Sequence, residues 1–106
     1  MHKTVFTVGL NDKEEERQLI STETAKDIIS EILIGDFKIF AFTMWECLGV
    51  YRMTSTGNIV KENSLRIEIA TDKKLKATKK IIKSLKENLN QETIMVNKTV
   101  EKINFI

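Results

Sequence analysis

The sequence predicts an α+β fold: a two-layer sandwich in which two helices cover one face of a four-stranded antiparallel sheet. Three observations lead there. Two segments, 25–33 and 75–89, repeat apolar residues at helical spacing. Four others alternate apolar and polar residues or concentrate branched and aromatic ones. The turn formers "TSTGN" at 54–58 join the middle two of these so tightly that they must run antiparallel.

The first strand is "KTVFTVGL", with Phe6, Val8 and Leu10 on one face. An acidic loop follows, holding Asp12, Glu14, Glu15 and Glu16. In "STETAKDIISEILIG", Ser21 and Thr22 are N-cap residue types and Gly35 is a helix stop. Between them Ala25, Ile28, Ile29, Ile32 and Leu33 form one apolar stripe. Residues 37–53 are β-like in composition, and 59–70 resume as a strand after the turn. Thr71 or Asp72 is expected to cap the second helix, whose stripe is Leu75, Thr78, Ile81, Ile82, Leu85 and Leu89. "ETIMVNKTVEKINFI" closes the chain as a strand, with a bulge expected near Asn97 and Lys98 where the alternation changes phase. The order βαββαβ is that of a ferredoxin-like sandwich, with the first and third strands central.

At 106 residues the chain has room for one domain, 1–106, and its 42% hydrophobic and 30% charged residues suit a globular protein. No apolar run approaches the ~20 residues of a membrane helix. "MHKTVFTVGLND" lacks the apolar core of a secretory signal, and a single cysteine fits a reducing compartment, so a cytoplasmic location is expected. The formal charge of +2 does not announce nucleic acid. Neither a metal nor a cofactor is expected, because no His/Cys/carboxylate set has ligand spacing.

Two hairpin registers fit "TSTGN". A three-residue loop with Gly57 left-handed puts Trp45 opposite Ile67, Cys47 opposite Leu65, and Glu46 opposite Arg66 as an ion pair. A two- or four-residue loop puts Phe40, Phe42, Met44 and Leu48 on the core side with Leu65, Ile67 and Ile69, and turns Trp45, Cys47 and Tyr51 outward. Either way the second strand is apolar on both faces, which asks for cover on both. Two helices cover one face only. A second copy packed on the open face is therefore expected, with Phe40, Phe42, Met44, Trp45, Leu48 and Val50 as interface residues.

Candidate chemistry is sparse. Cys47 as a nucleophile needs a base, and the only histidine is His2 near the chain start. "VGLND" places a glycine near the end of the first strand but lacks a phosphate-loop pattern. Lys73, Lys76, Lys80 and Lys83 line one face of the second helix, a ridge able to attract phosphate or an acidic surface. Without arginine or interleaved aromatics it reads first as a solvated face, so nucleic acid is the weaker expectation there. Glu46 and Glu62 are the carboxylates available for acid–base work.

"GVYRMTSTGNIVKENSLRIEI", with the helix after it and "LNQETIMV", resembles small, functionally uncharacterised ferredoxin-like proteins that share an extended hairpin. Gly49, Tyr51, Arg52, Gly57, Glu62 and Ser64 carry the similarity, with Gln91 and Glu92 before the last strand. The resemblance implies this fold and dimers, but no particular activity. Small proteins of this kind are common on phages and mobile elements, where many bind a host protein.

Three functional readings follow. The first is a non-enzymatic interaction or regulatory protein that self-associates through its sheet and binds a protein partner, as an inhibitor of a host protein would. The second is a small-molecule or anion sensor whose ligand site, at the dimer interface, is lined by Tyr51, Arg52 and Glu62. The third is a cofactor-free enzyme using a hairpin carboxylate. A pocket holding a carboxylate not paired with Arg66 favours the third over the first. No membrane partner is expected.

Overall fold

The computed structural model describes all 106 residues. Strand β1 (His2–Gly9) leads to helix α1 (Thr22–Glu31), which ends in a wide turn over Ile32–Asp36. Strands β2 (Thr43–Arg52) and β3 (Ile59–Thr71) form a hairpin, followed by α2 (Thr78–Leu89) and β4 (Met95–Val100). The sheet order is β2-β3-β1-β4, all antiparallel, so the first and third strands are central, as the element order predicts. This is the ferredoxin-like sandwich.

Burial explains the layering. Phe6 and Val8 of β1 and Leu65, Ile67 and Ile69 of β3 share the helix-side face, where Ala25 and Ile29 of α1 and Ile81 and Leu85 of α2 close over them. All nine are essentially inaccessible, and their burial is the main force holding the two layers together. Ser21 starts α1 as expected: its Oγ accepts from the Thr24 amide at 3.0 Å. Lys26 of α1 pairs with Glu23 of the same helix at 3.0 Å and, across the layers, with Glu46 of β2 at 3.1 Å.

Several details depart from the sequence reading. The α1 helix gives way at Ile32 to the wider turn, and the left-handed residue beyond it is Lys38, not Gly35. Residues 37–42 are not strand. They carry Phe37, Ile39 and Phe42 across the core edge as a connection, each half-buried against the core, while Phe40 is exposed. Neither Thr71 nor Asp72 caps α2: β3 runs on to Thr71, and the helix begins after Ala77, which provides no side-chain cap. Of the expected lysine ridge, only Lys80 and Lys83 are therefore on the helix, while Lys73 and Lys76 belong to the connection before it. Nor is β4 bulged, since Asn97 and Lys98 pair in regular succession with Val5 and Thr4.

The hairpin takes the second register. Trp45 lies opposite Arg66, Met44 opposite Ile67 and Glu46 opposite Leu65. The turn is closed by Met53 and Asn58, with Gly57 left-handed at φ 74°. Met44 therefore packs on the core side, and Glu46 pairs with Lys26 rather than Arg66. Arg66 instead stacks its guanidinium over the Trp45 ring, 5.5 Å from its centre, on the open face.

Candidate functional site

β1 pairs with β3 only as far as the Gly9–Ser64 step. Beyond it β2 and β3 continue as a two-stranded arm, and the space beside that arm becomes a cleft. Three distant segments meet there: the end of β1 with the acidic loop, the arm, and the connection from α2 to β4. The cleft measures about 550 Å³, and its lining includes Gly9, Asn11, Tyr51, Arg52, Glu62 and Gln91.

Glu62 lies at the centre. Strand alternation puts it on the open face with Tyr51, whose direct partner is Val60. Its carboxylate lies over Gly9, where any β-carbon would collide with it. The Asn11 amide donates to Glu62 Oε2 at 3.0 Å, fixing one carboxylate oxygen while Oε1 accepts no hydrogen bond. No lysine or arginine forms an ion pair with it. A carboxylate held by one backbone amide and by no cation is an acceptor with capacity to spare.

The loop that frames the cleft is tied down by side chains. Asp12 accepts from the amides of Glu14 and Glu15, each at 3.0 Å, and from the Asn90 side chain. These bonds, that from Asn90 foremost, hold its pKa below the ordinary 3.8. Asn90 is left-handed at the end of α2, and Gln91, almost fully buried, donates to the Asn11 carbonyl at 2.7 Å. The helix end thus anchors the segment that presents Asn11 to Glu62. Burial, then the negative charges of Glu62 and Glu16, push the Tyr51 phenol above 10.0, so it is neutral at physiological pH.

Of the residues named from sequence, Tyr51, Arg52 and Glu62 all line this cleft, Tyr51 and Glu62 from the open face. Strand alternation puts Arg52 on the helix-side face with Leu48 and Val50, so it borders the cleft at the rim. Asp12, Glu16, Glu62 and Glu92 bring four negative charges to the lining, against Lys13 and Arg52. The proposed interface residues divide. Phe42 and Met44 pack against the core; Leu48 and Val50 are exposed on the helix-side face of the arm, and Trp45 is partly exposed on the open face. Cys47 lies opposite Ser64 while His2 lies opposite Thr71, so roughly 20 Å of strand separates thiol from imidazole. No group of three or more His, Cys, Asp and Glu is arranged to hold a metal ion, and no helix is long and apolar enough to cross a membrane.

Sequence reasoning missed Gly9 and Asn11 as site residues. The signal was the "VGLND" stretch, a glycine at the end of a strand otherwise free of it, which marks close approach by another group.

No family model and no curated protein matches the chain. Among solved structures it is similar to a phage SAM lyase in complex with S-methyl-5'-thioadenosine: TM-score 0.67, 23% identity, 92% of this chain and 79% of that one. The apo form of the phage SAM lyase gives 0.61, 25% identity, and 92% and 78% coverage. The periplasmic divalent cation tolerance protein CutA from Archaeoglobus fulgidus has a TM-score of 0.62 at 8% identity, covering 99% of this chain and 88% of its own. These likenesses agree on the ferredoxin-like fold.

Proposed function

We propose that this chain is a cofactor-free lyase of the SAM lyase type. It holds the sulfonium nucleoside S-adenosylmethionine in the cleft around Glu62 and releases S-methyl-5'-thioadenosine. The observation that carries the reading is the Glu62 carboxylate, set into the cleft over Gly9 and left without a cation partner. The similarity in fold to a phage SAM lyase, whose complex holds S-methyl-5'-thioadenosine, supports this substrate class.

The chemistry of the lining suits such a ligand. S-adenosylmethionine carries a sulfonium, an α-ammonium and a carboxylate. Four carboxylates in the lining suit the two positive groups, and Lys13, with Arg52 at the rim, is available for the negative one. Tyr51 offers an aromatic surface, attractive to a cation or to a flat base. The thioether product is neutral and leaves an acidic site more readily than the substrate.

The reaction needs no protein nucleophile. The bond between sulfur and the aminobutyrate chain breaks, and sulfur keeps the electron pair. An oxygen of the substrate's own carboxylate bonds to the released carbon, closing a lactone with no net proton transfer. The protein's part is then to hold the ligand folded for that closure, a contribution of orientation.

Incubation of the purified protein with S-adenosylmethionine tests this. The reading expects S-methyl-5'-thioadenosine and a lactone by mass spectrometry, formed faster than in a protein-free control, with kcat/KM reduced in Glu62→Gln. Conversion no faster than the control contradicts it.

A second surface supports self-association. The arm exposes Leu48 at 59%, Val50 at 56%, Tyr51 at 45% and Ile59 at 56%, a concentration of exposed apolar side chains of the kind that marks an interaction surface. We propose that a second copy covers the arm and the open face beside Trp45. Native mass spectrometry at micromolar concentration is expected to give a homodimer or larger assembly, and a clean monomer contradicts it. A protein that self-associates yet neither binds nor converts S-adenosylmethionine returns the account to an interaction module acting on a protein partner.

A further inference from the structure

The two ends of α2 have opposite electrical character. Its last turn leads to Asn90 and the acidic cleft, while its first turn faces a shallow groove of about 670 Å³. Lys74 and Lys76 from the preceding connection, Lys79 and Lys80 from the helix, and Lys98 from β4 surround that groove. All five are exposed, none forms an ion pair, and the helix has no acidic residue in its first turn. One turn further on the charge is already compensated, since Lys83 meets Glu87 at 4.0 Å.

We infer that this end of the molecule binds the phosphate backbone of nucleic acid without reading its sequence. Like-charged ammonium groups brought together on three chain segments repel one another; a run of phosphates neutralises them, and the counterions the nucleic acid then releases drive binding. The groove offers no means of enclosing one small anion. Its buried hydroxyl, on Thr78, is already donated to the Leu75 carbonyl at 3.1 Å, and the remaining polar groups are mobile lysine termini. Such an array matches charges repeated along a polymer better than a single phosphate. An acidic protein surface is disfavoured because the groove has no aromatic side chain, and its one large apolar residue, Leu75, is half-buried against the core rather than free to form the centre of a protein interface. Recognition of base edges would need bidentate arginine, which the groove lacks.

Helix α2 separates the two sites by about 18 Å. The groove and the cleft share no lining residue, so the inference stands or falls apart from the lyase reading.

The test is fluorescence anisotropy with a labelled 20-base-pair DNA duplex between 50 and 200 mM KCl. Four or five phosphate contacts predict a log–log salt slope of about −3.5 to −4.5, a loss of affinity on the order of 10²-fold over that range. The triple variant Lys76→Gln/Lys79→Gln/Lys80→Gln is expected to flatten the slope by roughly 2–3, whereas Lys61→Gln on the arm leaves it unchanged, as does a shuffled duplex. Circular dichroism melting verifies that the triple variant folds, and S-adenosylmethionine turnover in it should equal that of the parent. Absence of binding at 50 mM salt, or equal binding by parent and triple variant, overturns the inference. So does competition by inorganic tripolyphosphate as effective as that by duplex at equal phosphate, or polyglutamate binding as tightly as DNA.

Discussion

The carboxylate of Glu62 fills the place where a side chain on Gly9 would be. The two residues are 53 positions apart in the chain and sit on different strands, with Ser64 the direct ladder partner of Gly9. The glycine is needed here for space, since its backbone is ordinary extended strand. Gly9→Ala is therefore expected to push Glu62 off the Asn11 amide. Turnover of S-adenosylmethionine should fall at least about tenfold while the protein stays folded, because one misplaced group costs more in rate than in stability. Parallel turnover and thermal melting measurements check this.

Glu62→Gln separates charge from shape. The amide oxygen can still accept from Asn11, so stability should change by less than about 1 kcal/mol. Affinity for the cationic substrate should nevertheless drop by one to two orders of magnitude, as expected when one charge-assisted contact is lost. Unaltered kinetics in this variant would remove Glu62 from the site.

Asp12 gives the loop a pH dependence. Its folded pKa is lowered by the Asn90 side chain and by the amides of Glu15 and Glu14. The stability it contributes is present above its unfolded value, near 3.8, and is lost as pH falls through the lower folded value. Melting temperature followed downward from about pH 5 should decline less steeply in Asp12→Asn than in the parent. Equal acid limbs would mean that these hydrogen bonds are absent in solution.

The helix start and the core give two calibrations. Ser21→Ala removes the acceptor of the Thr24 amide and should cost about 1 kcal/mol. Ile67→Ala opens a cavity between Phe6 on β1 and Met44 on β2, its ladder partners, and should cost about 2–5 kcal/mol. Urea denaturation measures both.

The sheet order was legible because it follows from local signals: two helical stripes, "TSTGN", and the one-sided alternation of Leu65, Ile67 and Ile69. Hairpin register was not, since Met53–Asn58 accommodates several loop lengths and β2 is apolar on both faces. Phe37, Ile39 and Phe42 read as strand because composition cannot distinguish paired backbone from a connection whose side chains pack singly. For the same reason Leu75 belongs to the α2 stripe although the chain is not helical until Thr78. The cleft was half visible. Tyr51, Arg52 and Glu62 are neighbours along one hairpin, whereas Gly9, Asn11 and Gln91 reach them only through tertiary contacts that leave no periodic trace.

The most direct test of the cleft assignment is an amide nitrogen–proton NMR titration with S-methyl-5'-thioadenosine, which is stable in the presence of a lyase that produces it. The account predicts saturable shifts at Gly9, Asn11, Tyr51 and Glu62, with the amides of Lys76, Lys79 and Lys80 unmoved. Shifts confined to another surface, or none at millimolar ligand, would contradict it.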